Sequence, residues 1–232
     1  MGKGTQMTDD LKRIAAEKAV DDFVKDGMTV GLGTGSTAYH AIRRVGELVN
    51  KGFKLKCVAT SLQTENIAEE CGITVVDLDE VDQIDVTIDG ADEVDPDMQL
   101  IKGLGGALLR EKIVAASTAF EVIVVDESKL VEKLGTKSPL PVEVLKFGHL
   151  KTKKALERQG CIAVLRVKDD KTFVTDNGNY VYDCKFSGID NPFFLESRIN
   201  VIPGVVDNGL FLNTAAAVIV SSADGNVRVM NR

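Results

Sequence analysis

The sequence predicts an α/β protein: a mostly parallel, Rossmann-like sheet with helices on both faces, followed by a smaller α+β domain. Three observations carry that expectation. Short apolar runs alternate with stretches of helical periodicity from about residue 9 to residue 128, the pattern of strand–helix–strand units in a parallel sheet. The alternation breaks at "GTKSPLPVEV" (135–144), where Gly135, Pro139 and Pro141 punctuate the chain. Later, the apolar run "LFLNTAAAVIVSS" (210–222) suits a return to the first domain. The expected division is 1–134 with 206–232 for the α/β domain and 135–205 for the smaller one.

The elements follow in order. Met1 to Gln6 read as a leader before a second Met at position 7 and are set aside. Over 9–26, Leu11, Ile14, Ala15, Ala19 and Phe23 recur at helical spacing, with Thr8 as cap and Gly27 as stop. "MTVGLG" (28–33) is a buried strand, and a helix runs from about Ser36 to near Gly52. "KLKCVATS" (54–61) is a strand, followed by a helix from Leu62 to Cys71. "ITVVDL" (73–78) and "IDVTID" (84–89) are strands, "QLIKG" (99–103) a short one, and a helix covers about 105–119. "EVIVVDES" (121–128) closes the series. In the smaller domain, "CIAVLRV" and "KTFVTDNGNYVYDC" supply strands, with Asp176-Asn177-Gly178-Asn179 as a hairpin turn between "FVT" and "YVYD". "NPFFLESRIN" is helical.

Composition narrows the function. The 232 residues suit one large domain, or a domain with a small companion. With 28 basic and 35 acidic residues the net charge is −7, and no basic cluster stands out, which argues against nucleic acid as the main partner. An anionic small molecule remains possible, because a site can be locally positive in a negative protein. No membrane-length apolar run and no secretory signal is present, so a cytoplasmic protein without a membrane partner is expected. Cys57, Cys71, Cys161 and Cys184 form no metal-like spacing and read as buried, reduced thiols. The two histidines, His40 on a helix and His149 in a connection, read as structural. A zinc hydrolase or a histidine-based triad therefore lacks its residues.

"GLGTGSTA" (31–38) lies between a strand and a helix. Its glycines permit a tight turn and close approach of a ligand. The N–H groups of Thr34 to Thr37 are expected to face an anion at the helix N-terminus, and the hydroxyls of Thr34, Ser36 and Thr37 add donors. A phosphate-binding P-loop would need a Lys before the Ser/Thr, and a dinucleotide fingerprint would need Gly at 36. The next strand also ends in "VATS", without an acid for a cofactor ribose. Taken alone, the loop equally suits a structural turn.

"QIDVTIDGADEVDPD" (83–97) holds six carboxylates and no base. A calcium loop counted from Asp85 would need Glu where Pro96 stands. Asp89 and Asp92 flank Gly90 on a turn at a strand's carboxyl end, where open α/β sheets bind ligands, while the other acids are expected to face water. In "LIKGLGGALLREKIVAAS" (100–117), Lys102 ends a strand before a glycine-rich turn. On the helix, Leu104, Leu108, Glu111, Ala115 and Thr118 share a face, so Glu111 interrupts an apolar stripe. Desolvation there favours proton uptake, as a general base near neutrality requires; the spacing equally suits a surface Glu paired one turn away. In "VVDESKL" (124–130), Lys129 follows another strand's carboxyl end, a position also consistent with a solvated surface residue.

At this point "GLGTGSTA", "TIDGADEVDPDMQLIKGLGGALLREKIVA", "VVDESK", "PLPVEV", "VTDNGNYVYD" and "IPGVVDNGLF" resemble the ribose-5-phosphate isomerase type A family, in order, from about Met28 to Phe211. The resemblance implies interconversion of ribose 5-phosphate and ribulose 5-phosphate in the pentose phosphate pathway, without cofactor or metal; a homo-oligomer is expected. The family's proton-transferring Glu falls on Glu111. Its substrate loops fall on Thr34, Gly35, Ser36 and Thr37, on Asp89, Gly90, Ala91 and Asp92, and on Lys102, Gly103, Leu104 and Gly105; its further substrate-binding Lys falls on Lys129. Asp89, Asp92 and Lys102 are expected to join Glu111 in catalysis. Leu104 departs from the Gly of many relatives, and a positive φ would be harder there. A sugar-phosphate-sensing domain of a transcription regulator is the alternative reading. It would carry a helix-turn-helix, for which the residues before Thr8 leave no room.

Overall fold

The computed structural model describes residues 3–232, with side chains from Asp9 onward. In chain order the elements begin α1 Lys3–Phe23, β1 Thr29–Leu32, α2 Ser36–Asn50, β2 Lys56–Ala59, α3 Leu62–Glu70, β3 Ile84–Gly90, β4 Glu93–Val94 and β5 Leu100–Ile101. They continue with α4 Leu108–Ala116, β6 Thr118–Asp126, β7 Leu140–Val144, α5 His149–Glu157, β8 Ile162–Leu165, β9 Val167–Lys168 and β10 Lys171–Thr172. The last are β11 Tyr180–Lys185, α6 Pro192–Asn200, β12 Val205–Asn208, β13 Leu210–Phe211, β14 Ala215–Ser221 and β15 Val227–Asn231.

Two compact units result. The first holds residues 1–91, 110–129 and 214–232; the second holds 92–109 and 130–213. The second thus takes in 92–109, 130–134 and 206–213 besides the 135–205 delimited from the sequence.

The first unit is built on a six-stranded sheet of order β15-β14-β6-β3-β1-β2. Every pairing is parallel except β14 with β15, as the α/β expectation requires. Its main core gathers Ala15, Ala16, Ala19 and Val20 of α1, Ala41, Ile42 and Val45 of α2, and Val30, Leu32, Val86, Ile88, Val122 and Val124 of the strands. Gly46 lets α2 approach α3: a β-carbon there would lie 2.9 Å from that of Cys71. Ser61 caps α3, its hydroxyl accepting the Thr64 N–H at 3.0 Å. β1 feeds β2 on one side while β3 pairs on the other. The strand order therefore reverses between β1 and β3, and the carboxyl ends there open the crevice where such sheets bind ligands.

The second unit has a four-stranded sheet, β12-β7-β11-β8, whose pairings are all antiparallel, and smaller sheets β13-β5-β4 and β10-β9. Its core includes Ile101, Leu140, Val142, Val144, Leu156, Tyr182, Ile199 and Leu210. Asn191 caps α6 by accepting the Phe194 N–H at 2.9 Å, with Pro192 following in the first turn.

Several expected elements differ. α1 begins at Lys3, so Thr8 lies inside it and does not cap it, and Lys3–Gln6 are helical; Met1 and Gly2 lie outside the described residues. "ITVVDL" forms no strand. Val75 makes one isolated bridge to Cys57, and Asp77 then accepts the Asp79 N–H to start a short 3-10 turn. α4 starts at Leu108 because Gly103 and Gly106 hold positive φ and keep the chain in a loop. Leu104 and Thr118 thus lie outside the helix whose face they were expected to share. The 176–179 turn closes, with Gly178 N–H on Thr175 O at 2.9 Å. It does not join a hairpin, because β11 is already paired by β7 and β8, while β10 pairs with β9. His149 opens α5 instead of lying in a connection.

Candidate functional site

The sequence-predicted residues fall in both units, and each set has its own geometry. In the first unit they line the carboxyl edge of the parallel sheet. β1 runs into Gly33, whose N–H bonds Ile88 O at 3.0 Å. A β-carbon on Gly33 would lie 2.1 Å from Asp89 Oδ1, so only glycine fits beside that carboxylate. Asp89 is 1% exposed. Its Oδ1 accepts the N–H of Thr34 at 3.1 Å and of Gly90 at 2.7 Å.

That pairing corrects the expectation for the glycine loop. The Thr34 N–H is directed at the Asp89 carboxylate and not outward to a ligand. The Thr34 hydroxyl turns inward as well, 2.7 Å from Thr60 Oγ1, 2.9 Å from Ser61 Oγ and 3.1 Å from Thr64 Oγ1. Thr34 is therefore the loop's fastening. Gly35, with φ 112°, begins the helix without a side-chain cap. The first-turn N–H groups of α2 have no acceptor within the helix, and at 35–37 the chain is exposed or half-buried. Lys12 Nζ donates to Ser36 Oγ at 3.0 Å, adding a cation to this helix N-terminus. Sequence reasoning missed Lys12, because nothing in its own helix distinguishes it from a surface lysine.

Glu111 lies in the first turn of α4 and is 4% exposed, with Leu108, Val114 and Ala115 also buried and Ile113 outside. The carboxyl does interrupt the buried face. Lys129, half-buried, ends a 3-10 turn (Glu127–Lys129) directly after β6. Asp126 shapes that turn by accepting the N–H and hydroxyl of Ser128. Gly90 ends β3 and Ala91 follows it, both half-buried.

In the second unit, Lys102 follows β5 and is 2% exposed. Its N–H bonds Gly209 O at 2.9 Å, and its ammonium lies 5.2 Å from the Phe211 ring centroid. Gly103 takes φ 104° and Gly106 φ 89°, whereas Leu104 has no positive φ. The loop thus accepts Leu104 without strain. The Leu104 N–H bonds Asp92 Oδ2 at 2.9 Å, and Leu104 and Gly105 are exposed. The chain crosses between the units at 91/92 and 109/110, within the segments that carry these residues.

One acid was misread. Glu93 does not face water: it is fully buried, and its carboxylate accepts the N–H groups of Gly135 at 2.6 Å, Lys137 at 2.6 Å and Ser138 at 2.5 Å. Its partners stand more than forty residues away, so no local pattern announces them. Among the described residues no group of three His, Cys, Asp or Glu side chains is placed to hold a metal ion, and no helix is long and apolar enough to cross a membrane.

The model of one family, Ribose 5-phosphate isomerase A (phosphoriboisomerase A), matches residues 56–225. Ribose-5-phosphate isomerase A of Bacillus mycoides is 48% identical, covering 93% of this chain and 97% of that protein. A solved ribose 5-phosphate isomerase from Plasmodium falciparum superposes with a TM-score of 0.94 at 41% identity, covering 97% of this chain and 99% of that one. A solved D-ribose-5-phosphate isomerase in complex with phospho-erythronic acid gives 0.93 at 41% identity, with the same coverage. The fold, the carboxyl-edge loops and these matches define an α/β isomerase. The chain belongs to the ribose 5-phosphate isomerase A family.

Proposed function

We propose that this chain interconverts D-ribose 5-phosphate and D-ribulose 5-phosphate through an enediolate, with Glu111 carrying the proton between C2 and C1. The observation that carries the assignment is Glu111 itself, a carboxyl 4% exposed in the first turn of α4, in a chain of this family. The Glu111 carboxylate takes the proton from C2 of the open-chain aldose, and the C1 carbonyl oxygen becomes negative. The same carboxyl returns the proton to C1 while C2–O becomes the carbonyl, and the hydroxyl proton passes from O2 to O1. One base can serve both carbons because they are adjacent.

Lys102, a buried ammonium, is assigned to the developing negative oxygen, where a fixed cation acts most strongly away from water. Asp89 and Asp92, each tying down a loop N–H through one oxygen, are assigned to sugar hydroxyls and to proton movement in ring opening. Gly90, Ala91, Gly103, Leu104, Gly105 and Lys129 are assigned to substrate contact. The α2 N-terminus, with Gly35, Ser36, Thr37 and Lys12, suits the phosphate: its N–H groups, hydroxyls and a cation all favour an anion. Thr34 supports that loop from behind. The relative in complex with phospho-erythronic acid supports the reading. That ligand joins a phosphate to a planar carboxylate, which shares its doubly oxygenated, anionic end with an enediolate.

Turnover separates this enzyme from a sugar-phosphate sensor. Chelator-treated protein is expected to form ketose from ribose 5-phosphate. Glu111→Gln is expected to lower kcat by about 10²–10⁴-fold while substrate binding persists. No ketose from the wild type would overturn the reaction, and full turnover by Glu111→Gln would overturn the shuttle.

A further inference from the structure

Arg166 lies between β8 and β9, sixty-odd residues from the Lys102 loop, and none of the site motifs contains it. Its side chain is 11% exposed. Nε and Nη2 grip both oxygens of Asp183, at 3.0 and 2.5 Å, the bidentate geometry that fixes a guanidinium plane. Nη1 then donates to two successive backbone carbonyls, Gly103 O at 2.9 Å and Leu104 O at 3.1 Å. The guanidinium carbon sits 5.7 Å from the Phe173 ring centroid. That ring also fills the space beside Gly106, where a β-carbon would meet Phe173 Cζ at 2.3 Å.

We propose that Arg166, aimed by Asp183 and backed by Phe173, is a positioning residue for the isomerisation: it orients the two peptide planes of the Gly103–Gly105 loop. In a trans peptide the C=O and the following N–H point in opposite directions within one rigid plane. Holding Gly103 O therefore directs the Leu104 N–H away from the guanidinium, where it meets Asp92 Oδ2 at 2.9 Å. Holding Leu104 O directs the Gly105 N–H the same way, on an exposed stretch of loop. Through one plane Arg166 sets the carboxylate of Asp92, and through the next it sets a donor for substrate oxygen. A cation on each carbonyl also polarises the peptide and strengthens its N–H as a donor. Lysine cannot reproduce this, having no planar fork to hold a carboxylate and two carbonyls together.

The proposal rests on the isomerase reading above, and the test has one arm independent of it. Arg166→Lys and Asp183→Asn are compared with wild type in kcat and KM for ribose 5-phosphate. Backbone hydrogen exchange is followed over residues 100–108 and over β7, β8 and β11. Arg166→Lys is expected to lower kcat by about 10²-fold, the effect of a misplacement near 1 Å. KM should change far less, because the oriented donor acts on the charged intermediate. The Leu104 amide should exchange faster while β7, β8 and β11 keep their protection. Asp183→Asn, which keeps the guanidinium but loosens its aim, should show a smaller change of the same kind. Wild-type kcat together with unchanged Leu104 exchange in folded Arg166→Lys overturns the proposal. So does faster exchange spread evenly over all three strands, which would mark Arg166 as a stabiliser of the whole unit. If the wild type forms no ketose, the reaction assignment fails, and Leu104 exchange alone decides whether Arg166 holds the loop.

Discussion

Gly33 shows how little room the first loop leaves. A β-carbon there would sit 2.1 Å from Asp89 Oδ1 and 2.6 Å from Asp89 Cα. The side-chain atom could swing away; the backbone atom lies in a paired strand and cannot. Gly33→Ala is therefore expected to push β1 from β3, costing roughly 1–3 kcal/mol of stability as overpacking does, and to break the Thr34–Asp89 bond. Urea unfolding checks the first effect, and an unchanged midpoint would show that the strands yield. At this scale the sequence was legible wherever a residue broke its own local pattern. Glu111 interrupts an apolar helix face, and Asp89 stands near the carboxyl end of the apolar strand β3; both are buried. Glu93, Lys12 and Arg166 were not legible, because each acquires its meaning from at least one partner more than twenty residues away.

Between residue and molecule, the α3 N-terminus acts as a brace for the glycine loop. Thr64, 1% exposed, donates to Gly33 O at 2.8 Å and lies 3.0 Å from Ser61 Oγ and 3.1 Å from Thr34 Oγ1. Thr60 adds a bond to Leu32 O at 2.9 Å. Four hydroxyls thus hold the segment that leads into α2, leaving 35–37 to face outward. Thr64→Val keeps the shape and removes the hydroxyl. It is expected to cost about 1–3 kcal/mol through the stranded polar groups and to raise KM for the sugar phosphate more than it lowers kcat. Calorimetry and steady-state kinetics together test this; a lower kcat at constant KM would place the brace elsewhere in the mechanism. The strands at 28–33 and 84–89 and the helices from Ser36 and Leu62 were readable from the sequence, whereas Thr8, the one cap it suggested, lies inside α1. They were misread where pairing decided the outcome. "ITVVDL" has strand-like residues but gains only one bridge, and "FVT" precedes a good turn but finds β11 taken on both edges. A local sequence records the propensity to pair and not the vacancy to pair with.

For the molecule as a whole, buried thiols and a phenol tie stability to alkaline pH. Burial pushes the Cys57 thiol up to about 12 from an ordinary value near 9. Burial also raises the Tyr182 phenol. The Cys184 thiol is raised first by its hydrogen bond with Cys161 and then by burial, while that same bond lowers Cys161. The sign follows from proton counting. Above pH 9 the unfolded chain gives up the Cys57 proton that the folded chain keeps, so the folded state binds more protons and stability falls as pH rises. The contribution is fully present below about pH 9 and is lost as pH climbs towards about 12. One such proton gives a slope of at most about 1.4 kcal/mol per pH unit. The net charge of −7 adds a growing self-repulsion over the same range, so the thiol must be isolated by substitution. Cys57→Ala lowers stability at every pH by leaving a cavity, yet its decline between pH 8 and 10.5 is expected to be visibly shallower than the wild-type decline. Urea titrations at four or five pH values give both curves. Parallel curves would assign the alkaline loss to surface charge, Tyr182 and the Cys161–Cys184 pair, whereas converging curves place it on the buried Cys57 thiol of β2.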